Sequence, residues 1–79
     1  MATVVLLGKL ADIGGVPALT VAGPLDWAGL LAALPPMLAE AADDPRNRVA
    51  LNGALLADKV ALSAGDGDEI ALLPPVSGG

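Results

Sequence analysis

Glycine and proline cut this sequence into short pieces, and that punctuation limits what it can fold into. Gly14-Gly15, Gly23-Pro24, Pro35-Pro36, Asn52-Gly53, Gly65-Asp66-Gly67 and Pro74-Pro75 recur along the chain, and each favours a turn or ends a regular element. The longest apolar stretch, residues 27–39, is interrupted by Pro35-Pro36. It falls short of the roughly 20 apolar residues of a membrane-spanning helix, so no membrane span is expected. Short elements must therefore pack against one another. A chain of 79 residues has material for one core, and folding at this size buries about 60% of the surface the unfolded chain exposes. Fifteen Leu, seven Val, two Ile and sixteen Ala supply more apolar surface than a disordered chain carries.

Between the breaks, the local pattern predicts type. Residues 2–7 form a run of β-formers without a polar face, as expected of a strand central in its sheet. Leu19 and Val21 alternate around Thr20, which makes residues 2–22 a candidate hairpin turning at Gly14-Gly15. Asp26 suits a helix N-cap, with the helix starting at Trp27 and Leu25 stapling onto Leu30. Trp27, Leu30, Leu31 and Leu34 share the spacing that buries one stripe. Pro35-Pro36 ends that helix, and residues 37–42 form a short second one with Pro36 at its first position. Residues 43–45 read as a solvated loop. Val49 and Leu51 begin a third strand that reverses at Asn52-Gly53, with a short extra strand near residue 55. Residues 59–62 connect weakly, Gly65-Asp66-Gly67 turns, and residues 69–73 form the last strand. The order β-β-α-β-β fits an α+β β-grasp, or ubiquitin-like, architecture: a mixed sheet with the first and last strands adjacent, and one main helix across one face. Residues 1–73 form that domain, and residues 74–79 an extended, flexible C-terminal tail.

Composition removes several chemistries. With neither Cys nor His, disulfides, thiolate nucleophiles, imidazole bases and the usual zinc ligands are absent. A small domain without disulfides suits the cytoplasm. Nine acids against four cations give a net charge of −5, which repels phosphate backbones, and Trp27 alone makes no stacking platform, so nucleic acid is not an expected partner. Asp66, Asp68 and Glu69 lack the twelve-residue calcium-loop pattern. Gly65-x-Gly67 lacks the third glycine and following helix of a dinucleotide site. Ser63 and Ser77 have no His partner, Trp27 reads as core, and Lys9, Arg46, Arg48 and Lys59 are scattered surface charges with no assigned role.

The ending Leu72-Leu73-Pro74-Pro75-Val76-Ser77-Gly78-Gly79 carries the chemistry. At ordinary glycine usage a terminal Gly-Gly arises in about 0.5% of chains. Pro74 and Pro75 fix φ and cannot continue a ladder. From Pro74 the chain reaches at most about 20 Å. Gly78 and Gly79 have no Cβ, can thread a narrow channel and leave the terminal carbonyl carbon open to attack. A bare carboxylate is a poor electrophile, so such a tail needs activation to an acyl-adenylate before a sulfur nucleophile can displace AMP. A docking surface is expected among the exposed members of residues 4–7 and 70–73, where an uncovered apolar patch invites a protein partner. Side-by-side pairing of an edge strand is a further route.

These residues carry a resemblance. The whole chain resembles the MoaD/ThiS family of ubiquitin-like sulfur carriers. The stretch from Gly65-Asp66-Gly67-Asp68-Glu69 through Pro74-Pro75 to Gly78-Gly79 looks like the ending of its molybdopterin-synthase branch. The opening Val4-Val5-Leu6-Leu7-Gly8-Lys9-Leu10 is similar to the family's first strand, and Val49-Ala50-Leu51-Asn52-Gly53 to its middle strand. Members commonly have Phe in the first strand and before the two prolines; Leu6-Leu7 and Leu72-Leu73 stand there in this chain. The resemblance implies a cytoplasmic sulfur-carrier subunit of molybdopterin synthase, itself non-catalytic. Gly79 would be adenylated and converted to a thiocarboxylate, with residues 74–78 (Pro74, Pro75, Val76, Ser77, Gly78) binding in the partner's channel. Implied partners are the large synthase subunit, in a heterotetramer, and an ATP-dependent adenylating and sulfurating enzyme. ATP and Mg belong to that enzyme, and no cofactor or metal to this chain. The sulfur converts cyclic pyranopterin monophosphate to a dithiolene. A carrier for thiamine or another sulfur pathway, a ubiquitin-like modifier joined to lysine through Gly79, and a non-covalent interaction module are the alternatives, and Pro74-Pro75 before Val76-Ser77-Gly78-Gly79 leans toward the molybdopterin branch.

Overall fold

The computed structural model describes residues 1–75. Strand β1 (Ala2–Leu6) is followed by helix α1 (Lys9–Gly14), β2 (Ala18–Val21), β3 (Leu25–Asp26), α2 (Trp27–Ala33) and α3 (Pro36–Ala42). Then come β4 (Arg48–Leu51), β5 (Ala54–Leu55), a 3-10 turn (Lys59–Ala61), β6 (Ser63–Ala64) and β7 (Glu69–Leu73). The main sheet has five strands in the order β2-β1-β7-β4-β5. Only β1 and β7 pair in parallel, with Thr3 opposite Glu69 and Leu6 opposite Leu72; the other pairs are antiparallel. This is the mixed β-grasp sheet, with first and last strands adjacent and β1 central.

Local chemistry accounts for most element boundaries. The Asp26 carboxylate accepts the Gly29 amide at 2.8 Å, capping α2 where the helix was expected to begin. Leu34 is forced to an extended backbone ahead of Pro35, since proline disfavours the helical region for its predecessor. Pro36 then opens α3, where its missing amide costs nothing. Asn52 and Gly53 take positive φ of 50° and 85°, the combination that a two-residue hairpin between β4 and β5 requires.

Three features depart from the sequence reading. Residues 2–22 are a hairpin, with β1 and β2 antiparallel, but its loop holds α1, and Gly15 caps that helix at φ 75° instead of forming the hairpin turn. Leu10 is buried there, with Ala11 and Ile13 packed against the core; six residues are too few to display a helical period. The helical layer therefore consists of three short helices where one main helix and a short second one were expected. Second, β3 and β6 make a separate two-residue ladder, Leu25 opposite Ala64 and Asp26 opposite Ser63. Third, residues 43–47 are not merely solvated. Asp43 accepts the Trp27 indole N–H at 3.1 Å. The Lys59 ammonium donates to the carbonyls of Ala42, Asp44 and Asn47 and lies 5.3 Å from the centre of the Trp27 ring. Lys59 thus has a structural role that its place among the surface charges did not suggest.

The core sits between the helices and one face of the sheet. Val4, Leu6, Val49, Ile70 and Leu72 from the strands meet Leu10, Trp27, Leu30, Leu34 and Leu38 from the helical layer. Leu31 is only half-buried at its edge. Below the sheet, Asn52 ties two turns together. It donates to Asp68 at 3.0 Å and accepts the Glu69 amide at 2.8 Å. The same Asp68 carboxylate accepts the Gly65 amide at 2.8 Å. These bonds hold the Asp68 carboxyl below its usual value of 3.8, the Gly65 amide contributing most.

Two outcomes follow. Leu30→Ala should cost about 2–5 kcal/mol, as expected when a fully buried leucine is truncated, and Leu31→Ala less than half that, both read from urea midpoints. A depressed folded-state pKa stabilises above the unfolded pKa and is lost as pH falls through the folded one. The urea midpoint should therefore hold from about pH 7 to about pH 5 and decline below about pH 4, with a shallower decline in Asp68→Asn.

Candidate functional site

β7 runs between β1 and β4, so the chain leaves the domain from the middle of the sheet. Leu72 still belongs to the ladder, its carbonyl accepting the Leu7 amide at 3.3 Å. After Leu73 regular pairing stops at Pro74, which is half-buried, and Pro75, which is exposed. Val76, Ser77, Gly78 and Gly79, with the reactive role expected of Gly79, lie outside the described residues.

The base of this exit is built by β1 as much as by β7. Gly8 has φ 54° and ψ −127°, a conformation that an L side chain seldom tolerates. A Cβ there would stand 3.2 Å from Pro74 Cγ. One glycine thus allows both the sharp passage from β1 into α1 and the close approach of the outgoing proline. An open groove adjoins it, lined by Leu10, Ile13, Ala41, Pro74 and Pro75, with Lys9 and Arg46 at its rim. The Arg46 guanidinium is committed to Asp44 through two contacts of 3.1 and 2.9 Å. Those bonds hold the Asp44 carboxyl far below the ordinary carboxylate range and raise the guanidinium.

The face of the sheet away from the helices is the second part of the site. Strand registers align Ala18, Val5, Ala71, Ala50 and Leu55 in one row across all five strands. Leu73 lies beside that row at the tail end of β7, and Leu7, 41% exposed, beyond the end of β1. The docking surface expected among residues 4–7 and 70–73 therefore divides: Val4, Leu6, Ile70 and Leu72 are core, whereas Val5, Leu7, Ala71 and Leu73 are available to a partner. The two Leu pairs that replace phenylalanines divide in the same way. Leu6 and Leu72 face one another inside.

Among the described residues no three His, Cys, Asp or Glu side chains gather as a metal site requires, and no helix is long and apolar enough to cross a membrane. What the site offers is an exit from the middle of the sheet at Pro74-Pro75 and an apolar face. Sequence reasoning identified the two prolines but gave Gly8 no role; the available signal was a glycine directly after the apolar run of residues 2–7, where a chain break can call for a positive φ. Gly8→Ala should lower stability by about 1–3 kcal/mol, the usual cost of a strained backbone position. It should also shift the Pro74 and Pro75 resonances in an NMR spectrum, which a substitution at the remote, open Gly53 leaves unchanged.

Comparison with solved structures places this geometry. SAMP1 from Haloferax volcanii is 29% identical, with a TM-score of 0.69 over 99% of this chain and 98% of that one. Subunit 1 or 2 in the protein–protein complex of molybdopterin-converting factor from Helicobacter pylori 26695 is 28% identical, with a TM-score of 0.69 over 99% and 97%. CysO from Mycobacterium tuberculosis shares the fold at 20% identity, with a TM-score of 0.76 over 96% and 100%. No protein with a curated description matches. The ThiS family model matches residues 4–79, tail included. The chain belongs to the ThiS family of ubiquitin-like sulfur carriers.

Proposed function

We propose that this chain is the sulfur-carrier subunit of a molybdopterin synthase, acting through Gly79. One observation carries the reading: the central strand β7 ends at Leu73 and is followed directly by Pro74-Pro75, and six residues counted from Pro74 can span at most about 20 Å. The family match runs through that segment. The Helicobacter neighbour, a molybdopterin-converting factor solved as a complex of its two subunits, supports the choice of pathway and of a large-subunit partner.

The chemistry follows from the carboxylate. Its oxygen attacks the α-phosphorus of ATP, pyrophosphate leaves, and the acyl-adenylate makes the Gly79 carbonyl carbon electrophilic. A sulfide-level nucleophile adds there, the C–O bond to AMP breaks, and a thiocarboxylate remains. ATP and Mg belong to the activating enzyme. This chain contributes an unhindered glycine end, prolines that cannot pair back into the sheet, and the Val5–Ala71–Leu73 face for docking. Pro74, Pro75, Val76, Ser77 and Gly78 are the residues that bind in the partner's channel, and the cytoplasm is the place of action. SAMP1, named a small archaeal modifier protein, supports a second reading in which Gly79 is joined to a lysine.

Intact mass of the protein from its native host separates the two. Exchange of one oxygen for sulfur, together with co-purification of a large synthase subunit, is expected. Ladders of heavier adducts indicate the modifier, and neither mass change overturns both. Deletion of Gly79 should abolish sulfur transfer in a reconstituted synthase while leaving the urea midpoint unchanged.

A further inference from the structure

The two edges of the main sheet are protected very differently. β5 is two residues long, and brevity is one way in which an edge avoids pairing with another chain. β2 has four residues and lies within thirteen consecutive uncharged residues, 13–25. Charged side chains, the commonest guard of an exposed edge, are therefore missing there.

Proline does not guard it either. The Leu6 amide donates to the Pro17 carbonyl at 2.8 Å, so residue 17 faces β1. The register continues Val5 opposite Ala18 and Val4 opposite Leu19. Hydrogen-bonding direction alternates along an antiparallel strand, which leaves Leu19 and Val21 bonded to β1 and turns the amides and carbonyls of Ala18 and Thr20 outward. Residue 17 would have aimed its amide inward in any case, so the proline removes nothing from the free edge. Ala18 and Thr20 are exposed, as is Ala22 just beyond the strand.

We infer that the β2 edge is a self-association surface that accepts the β2 edge of a second copy, antiparallel across a two-fold axis at Thr20. That register is self-complementary. Thr20 exchanges both backbone bonds with its counterpart, and Ala18 pairs with Ala22 of the other copy in both directions. A two-fold interface requires the same patch on both partners, and an outward row of Ala, Thr and Ala places no bulk or charge against itself. Thr beside Thr is also a favourable cross-strand pair. The half-buried Leu19, packed at the margin of the core, gains a neighbour in Val21 of the other copy. β1 separates this edge from β7, so the tail exit of each copy stays free. The inference does not rest on the chemistry of Gly79.

Sedimentation of the full chain over a range of concentrations tests this. A monomer–dimer equilibrium is expected. It should strengthen with salt, because each copy carries −5 and the screening length falls from about 30 Å to about 3 Å between about 0.01 M and 1 M salt. Thr20→Lys places like charges opposite one another on the axis, and Ala22→Lys, as a second variant, sets a long charged side chain against Ala18 of the other copy; each should weaken dimerisation by about tenfold or more. Leu55→Lys on the opposite edge should not. Circular dichroism identifies any variant that fails to fold. In the wild type, amide exchange at Ala18, Thr20 and Ala22 should slow as concentration rises. A chain that stays monomeric at about millimolar concentration, a dimer indifferent to both lysine variants, or one abolished by Leu55→Lys overturns the inference.

Discussion

Parallel pairing of β1 and β7 is the constraint on which the remaining architecture depends. Residue 3 lies opposite residue 69, so nearly the whole chain is spent travelling out and back before this contact closes. Parallel neighbours cannot be joined by a tight turn and need a crossover. The two hairpins and the helical layer are what fills it. Because both strands sit inside the sheet, their inward side chains Val4, Leu6, Ile70 and Leu72 are among the most deeply buried in the molecule. The same pairing fixes where the chain must leave.

A second, smaller lock holds the far side. Lys59 reaches the last carbonyl of α3 and two in the loop after it while its ammonium stands over Trp27. The buried Asn47 side-chain amide donates to the Ala41 carbonyl. Helix C-termini leave carbonyls without partners, and here side chains from outside the helix satisfy them. A loop that would otherwise fray is thereby fastened to the 3-10 turn and to α2. The acidic residues Asp43 and Asp44 serve the same loop, one on the indole and one on Arg46.

What could be read from the sequence was what local chemistry decides. Asp26 caps, Pro36 starts, Asn52-Gly53 reverses, and the apolar runs at residues 2–7 and 69–73 become central strands, because each depends on neighbours a few residues away. The helix at Lys9–Gly14 and the β3–β6 ladder escaped, being too short to show a period. Lys59 escaped because its partners lie twelve to seventeen residues away in sequence, and no pattern within the chain marks them. At the tail the positions were legible, but the support was not: the two prolines announced themselves, whereas Gly8, nearly the full chain length distant, permits Pro74 to sit where it does.

The departure of the chain end from an interior strand also has a mechanical meaning. Tension applied beyond Pro75 runs along β7, which is flanked on both sides by ladders to β1 and β4. The load is then shared in shear by many hydrogen bonds at once, whereas a strand at the margin would peel one bond at a time. A domain pulled through this strand resists unravelling from the point at which the force enters.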